Sequence, residues 1–204
     1  MSLPPRIRNF SVWLGALLGI LCVAAASAQE NRLPQDALRY FIDLLKLDTS
    51  NPPGHETRVA QYLKEVCDRE GIGGELLGSG ADRLNFVARL KGSGAGRPLL
   101  LMAHSDVVPA ERDHWTVDPF VGLIKDGYIW GRGSQDTKGL LAAELAVMVE
   151  LKRSGARLKR DVIFLSEADE EAGSTGIQWL VTNVWDMIDA EFALNEGGSA
   201  DLLE

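Results

Sequence analysis

Pro98-Leu99-Leu100-Leu101-Met102-Ala103-His104-Ser105-Asp106 is the stretch on which the fold turns. Six consecutive residues without a polar side chain suit a strand buried on both faces of a parallel sheet, whereas a strand with one wet face alternates. The run then stops at a histidine and an aspartate. In open α/β sheets ligands bind outside the carboxyl ends of the strands, so chemistry is expected where such a run ends. The same event recurs downstream. Asp161-Val162-Ile163-Phe164-Leu165 leads into Ala168-Asp169-Glu170-Glu171-Ala172-Gly173-Ser174, and Ala190-Glu191-Phe192-Ala193-Leu194 leads into Asn195-Glu196-Gly197-Gly198.

The intervening patterns complete an α/β reading. Leu38, Phe41, Ile42 and Leu45 behind Pro34 have helical spacing, as do Val59, Leu63, Val66 and Cys67 ahead of Gly71. The breaker Thr49-Ser50-Asn51-Pro52-Pro53-Gly54 separates them. Residues 75–77 and 85–90 read as strands, and Asp126-Gly127 before Tyr128-Ile129-Trp130 as a hairpin turn. A long helix is predicted from about Lys138 to Arg153, and another carries Ile177, Leu180 and Val181. Strands alternating with helices predict a three-layer α/β sandwich with a mixed, largely parallel sheet.

Residues 1–28 read as a secretory signal: Arg6 and Arg8, an apolar run from Val12 to Ala26, and small residues at Ala26-Ser27-Ala28. The expected mature chain starts at Gln29, is exported to the periplasm or secreted, and keeps no stable membrane anchor. Its formal charge is about −10, from −8 for the 204-residue chain, which argues against nucleic acid as a partner. Only Cys67 remains in it, so no intrachain disulfide is expected. Lys91-Gly92-Ser93-Gly94-Ala95-Gly96 does not satisfy the dinucleotide fingerprint, and Gly131 to Lys138 lacks the glycine before lysine of a phosphate loop.

Each candidate site residue has a plain reading beside the chemical one. His104 and Asp106, two apart on an extended segment, point to one side, so the aspartate could hold one imidazole nitrogen while the other binds a metal; a buried histidine satisfied by an aspartate is the plain version. Asp136 is placed to be a helix N-cap or, behind Gly131 and Gly133, a carboxylate whose two oxygens bridge two cations. Lys138 reads as a solvated residue of the helix's first turn. Asp169, Glu170 and Glu171 repel one another, which water tolerates and a cation rewards. Adjacent glutamates could divide the work, one ligating and its neighbour accepting a proton from water. Glu196 alone in a glycine turn carries little; the joint recurrence at strand ends is what points to a metallohydrolase.

Ala103-His104-Ser105-Asp106-Val107-Val108-Pro109, Gly131 to Gly139, Ala168 to Ser174 and Asn195 to Gly198 resemble, in order and spacing, the di-zinc metallopeptidase family of aminoacylase, acetylornithine deacetylase, succinyl-diaminopimelate desuccinylase and glutamate carboxypeptidase. Thr49 to Gly54 resembles its early loop. The resemblance implies hydrolysis of an amide or peptide bond in a small peptide or N-acyl amino acid. By the same resemblance His104 and Glu196 bind one zinc, Glu171 the second, and Asp136 bridges them. Asp106 orients His104, and Glu170 is general base and then proton donor. Cobalt or manganese are compatible with these ligand types.

The family runs to about twice this length, so residues 29–204 correspond to the N-terminal part of its catalytic domain. The lid or dimerisation domain and the C-terminal part are absent from this sequence, and a homodimer is implied only for a full-length form. A further histidine ligand and a lid histidine are expected there; His55 and His114 lie in the wrong motifs. Two readings stay open: a zinc-dependent hydrolase represented by its N-terminal half, and a non-catalytic fragment or metal-binding domain whose second metal site is incomplete.

Overall fold

A computed structural model of the protein describes residues 32–197. The signal-like residues 1–28 and Gly198 lie outside them. Two amphipathic helices come first, α1 (Leu33–Leu45) and α2 (Thr57–Arg69), followed by strands β1 (Gly74–Leu77), β2 (Asn85–Leu90) and β3 (Leu99–His104). A small hairpin of β4 (Leu123–Lys125) and β5 (Tyr128–Trp130) precedes α3 (Lys138–Arg153). Then come β6 (Val162–Glu167), α4 (Thr175–Asn183), the short α5 (Trp185–Ile188) and β7 (Phe192–Leu194). No described helix is long and apolar enough to cross a membrane.

The main sheet has the order β1-β2-β6-β3-β7. β3 pairs in parallel with both β6 and β7, while β1 with β2 and β2 with β6 are antiparallel. The sheet is therefore mixed, with its parallel half around β3. Side chains alternate between two cores, as the period of a strand requires. Phe86, Ala88, Leu101, Ala103 and Phe164 pack with α1, α2 and α3 on one face. Val87, Leu100, Ile163 and Leu165 pack with Leu180 of α4 and Ile188 of α5 on the other. This is the expected three-layer sandwich. Phe86 and Phe164 meet edge to face at 6.2 Å in the first core.

The turn chemistry follows the sequence closely. Asp126 and Gly127 both take positive φ, 54° and 81°, which is the backbone of a two-residue hairpin turn that follows strand twist. Two elements run differently from expectation: β6 extends past Leu165 to Glu167, and β7 is shorter than Ala190 to Leu194. Val181, placed by spacing on the apolar face of its helix, is 47% exposed.

Candidate metal centre

Because β6, β3 and β7 are parallel neighbours, their carboxyl ends lie side by side. His104 ends the middle strand; the turn after β6 supplies Glu170 and Glu171, and the segment after β7 supplies Glu196. Asp136 comes from the loop between β5 and α3, where Gly133 has φ +87° and a Cβ there would stand 2.8 Å from Val107 Cγ1. The residues singled out from the sequence thus converge. His104 Nε2 lies 2.9 Å from Asp136 Oδ1 and 3.2 Å from Glu196 Oε1. One donor atom from each of His104, Asp136 and Glu171 falls within 4.8 Å of the others, and the same holds for His104, Glu170 and Glu196. A cleft of about 530 Å³ opens over them.

His104 is buried, and its ring is aimed by what lies behind it. Nδ1 is 2.9 Å from the main-chain carbonyl oxygen of Asp106 and 3.4 Å from its carboxylate Oδ1. Asp106 thus meets this nitrogen chiefly through its backbone. A carbonyl oxygen can only accept, so Nδ1 carries a hydrogen and Nε2 is the nitrogen that faces the cleft, free to offer a lone pair to a cation once it gives up its own proton. The donor set, one imidazole and four carboxylates, suits a divalent metal cation. Without one, the electrostatics are unbalanced. Burial opposes charge on His104, yet bonds to Asp106 and Asp136 and the Glu196 charge drive its pKa up to about 10. Burial and the Asp136 charge raise Glu171. The residues present fit a metal.

Asp106 does more than face the histidine. It is fully buried, which works against its charge, but bonds with His104, Asn51 and the Glu171 backbone hold it below the usual carboxylate range. Its Oδ1 accepts the Glu170 N–H and its Oδ2 the Glu171 N–H, both at 3.1 Å.

Three readings from the sequence are corrected. Asp136 is not a helix cap: Thr137 precedes the first turn, no side chain caps it, and the Asp136 side chain is 65% exposed beside the cleft. Lys138 is not solvated. It is fully buried, donating from Nζ to the carbonyls of Leu44 at 3.1 Å and Leu47 at 2.6 Å, while burial pulls its pKa down to about 7. Asp169 does not join its two neighbours at the cation site. Its φ of +65° turns it away, and it is buried against Arg83, Asn51 and Thr175.

Glu167 was not singled out by sequence. It pairs in register with His104 across the parallel strands and lines the cleft. Burial and the nearby Glu170 charge push its pKa up to about 7. Its only sequence signal is position, one carboxylate before the acidic run on a strand longer than its apolar residues show.

Comparison with known proteins places this geometry. The chain is 37% identical over 148 residues to a protein described as a probable succinyl-diaminopimelate desuccinylase from Staphylococcus epidermidis, covering 72% of this chain and 35% of the relative. In structure it is similar to an M20 family metallo-carboxypeptidase from Sulfolobus solfataricus, with a TM-score of 0.70, 27% identity, and coverage of 82% and 38% of the two chains. It shares the fold of the Bacillus subtilis YXEP protein, a dinuclear metal binding peptidase, at a TM-score of 0.57, 19% identity and coverage of 78% and 42%. The chain spans little more than a third of the length of the first two. The model of peptidase family M20/M25/M40 matches residues 100–203, a span that contains His104, Asp136, both glutamates of the β6 turn and Glu196, and this chain belongs to that family.

Proposed function

We propose that these residues build the metal centre of a zinc-dependent hydrolase that cleaves the amide or peptide bond of a small peptide or an N-acyl amino acid. The observation that carries the reading is the convergence of donor atoms around His104, within 4.8 Å of one another in a group with Asp136 and Glu171 and in a group with Glu170 and Glu196. In this assignment His104 and Glu196 would hold one zinc, Glu171 the second, and Asp136 would serve both; cobalt or manganese suit the same donors. Bound zinc would polarise the scissile carbonyl and lower the pKa of water.

The chain's own groups do the rest. Asp106 holds Nδ1 of His104 so that Nε2 faces the cleft. Glu170 lines that cleft, where its carboxylate can take a proton from water and return it to the leaving nitrogen. A desuccinylase and a metallo-carboxypeptidase among the similar proteins support an amide-bond substrate. Since the chain covers 35% and 38% of those two, hydrolysis is proposed for the whole protein and metal binding for the chain itself. Export to the periplasm or medium is proposed from residues 1–28, and pairing as a homodimer for a full-length form from the family resemblance.

Equilibrium dialysis against Zn²⁺ followed by elemental analysis tests the centre. Zinc should stay with the chain and be lost on His104→Ala or Asp136→Ala; a chain that retains none rejects the assignment. In the whole protein Glu170→Gln should keep zinc and abolish turnover of dipeptides or N-acyl amino acids, and unchanged turnover removes Glu170 as the base.

A further inference from the structure

The Asn51 side chain sits between two buried carboxylates. Its Nδ2 donates one hydrogen to Asp106 Oδ2 at 2.7 Å and the other to Asp169 Oδ1 at 2.8 Å. Both partners can only accept, so the amide nitrogen is the end that faces them and both its hydrogens are used. Asn51 and Asp169 are each 3% exposed and Asp106 is fully buried. A buried donor removed from such a place leaves two desolvated carboxylates facing each other.

Each carboxylate governs a different part of the centre. The Asp106 carboxylate lies 3.4 Å from His104 Nδ1, whose hydrogen bond goes to the Asp106 main-chain carbonyl, and accepts the N–H groups of Glu170 and Glu171. Asp169 Oδ1 also accepts from Arg83 Nη2 at 2.8 Å, and its Oδ2 accepts from the backbone N–H and hydroxyl of Thr175, at the start of α4. Arg83 in turn donates to Glu56, whose Oε1 accepts the Asp169 N–H. The asparagine itself is seated firmly. Its N–H bonds to Val107 O at 2.9 Å, Val107 N–H to Thr49 O at 3.2 Å, and Thr49 Oγ1 to Ser105 O at 2.6 Å. The early loop thereby lies alongside Ser105 to Val107, the three residues that follow His104.

We infer that Asn51 is a positioning residue of the metal centre: through Asp106 and Asp169 it sets the placement of the His104 ring and of the Glu170-Glu171 turn. Its side-chain bonds go to Asp106 and Asp169, neither of them a proposed ligand. The inference rests on the assignment of His104 and Glu171 as metal ligands. Partners that hold metal ligands from behind typically change metal affinity by roughly ten- to a hundredfold when removed.

The test uses Co²⁺, whose visible absorption reports the ligand geometry, and a competing chromophoric chelator for affinity. Asn51→Asp keeps the shape and removes the donor; Asn51→Ala removes it without adding charge and serves if the first variant does not fold. Either variant should bind Co²⁺ at least about tenfold more weakly with an altered spectrum, while its metal-free form still unfolds cooperatively. Asn51→Gln, which restores an amide donor, should recover part of both. A folded variant with unchanged Co²⁺ affinity and spectrum overturns the inference. A variant that loses only metal-free stability, with binding unchanged, also overturns it. Failure of the unsubstituted chain to bind Co²⁺ overturns instead the metal-centre reading beneath it.

Discussion

Glu144 on α3 is 3% exposed, and neither carboxylate oxygen has a hydrogen-bond partner. Burial pushes its pKa up from 4.5 to about 8. An acid whose folded pKa is raised binds its proton more tightly when folded. Its contribution to stability is therefore complete below about pH 4.5 and is lost as the pH climbs through 8. Each tenfold gain in proton affinity is worth roughly 1.4 kcal/mol, so the loss reaches several kcal/mol. Urea unfolding at pH 5 and pH 9 should show the Glu144→Gln variant gaining on the unsubstituted chain by about 2–4 kcal/mol between the two conditions; equal pH dependence would mean the carboxyl finds relief in solution. Lys138 is the opposite case, a buried cation with partners. Its ammonium covers two carbonyls at the end of α1, where a helix leaves acceptors unused and favours positive charge. Lys138→Met should cost about 1–3 kcal/mol in chemical denaturation.

The helix that follows the glutamate turn is set by a contact no side-chain pattern reveals. Gly176 lies in the first turn of α4, and a Cβ there would stand 2.1 Å from the carbonyl oxygen of Ala168 and 2.6 Å from Asn85 Oδ1. Asn85 meanwhile accepts the Ala168 N–H at 2.9 Å, joining β2 to the start of the turn. Gly176→Ala must push α4 away from that turn, at a cost of about 1–3 kcal/mol for overpacking. Because the Ala168 carbonyl that the new methyl presses on opens the turn carrying Glu170 and Glu171, a fall in melting temperature should be accompanied by weaker Zn²⁺ binding in a competition titration. A loss of stability with zinc affinity intact would show that the turn holds its shape without the helix.

Taken whole, the described molecule has an apolar edge. β7 is the last strand of the sheet order, and Phe192 and Leu194 are 57% and 55% exposed on it. An exposed strand edge with apolar side chains is a template for pairing with another chain. The chain by itself should sediment as concentration-dependent oligomers, and Leu194→Lys should shift it toward monomer; identical sedimentation of both would place self-association elsewhere. Apolar runs, helical spacing and turn dipeptides specify nearest-neighbour geometry, and from them the strands, the longer helices, the hairpin and the acidic and histidine side chains at the strand ends, His104, Asp136, Glu170, Glu171 and Glu196, were legible. What they could not specify is environment. Whether Asp136 caps a helix or faces a cleft, whether Lys138 meets water or two carbonyls, and that Asn51 bridges Asp106 to Asp169 depend on segments far apart in the chain, by 55 to 118 residues in the case of Asn51 and Lys138. A side chain's charge, exposure and partners are set by whatever packs against it, and only the tertiary structure brings those distant groups to it.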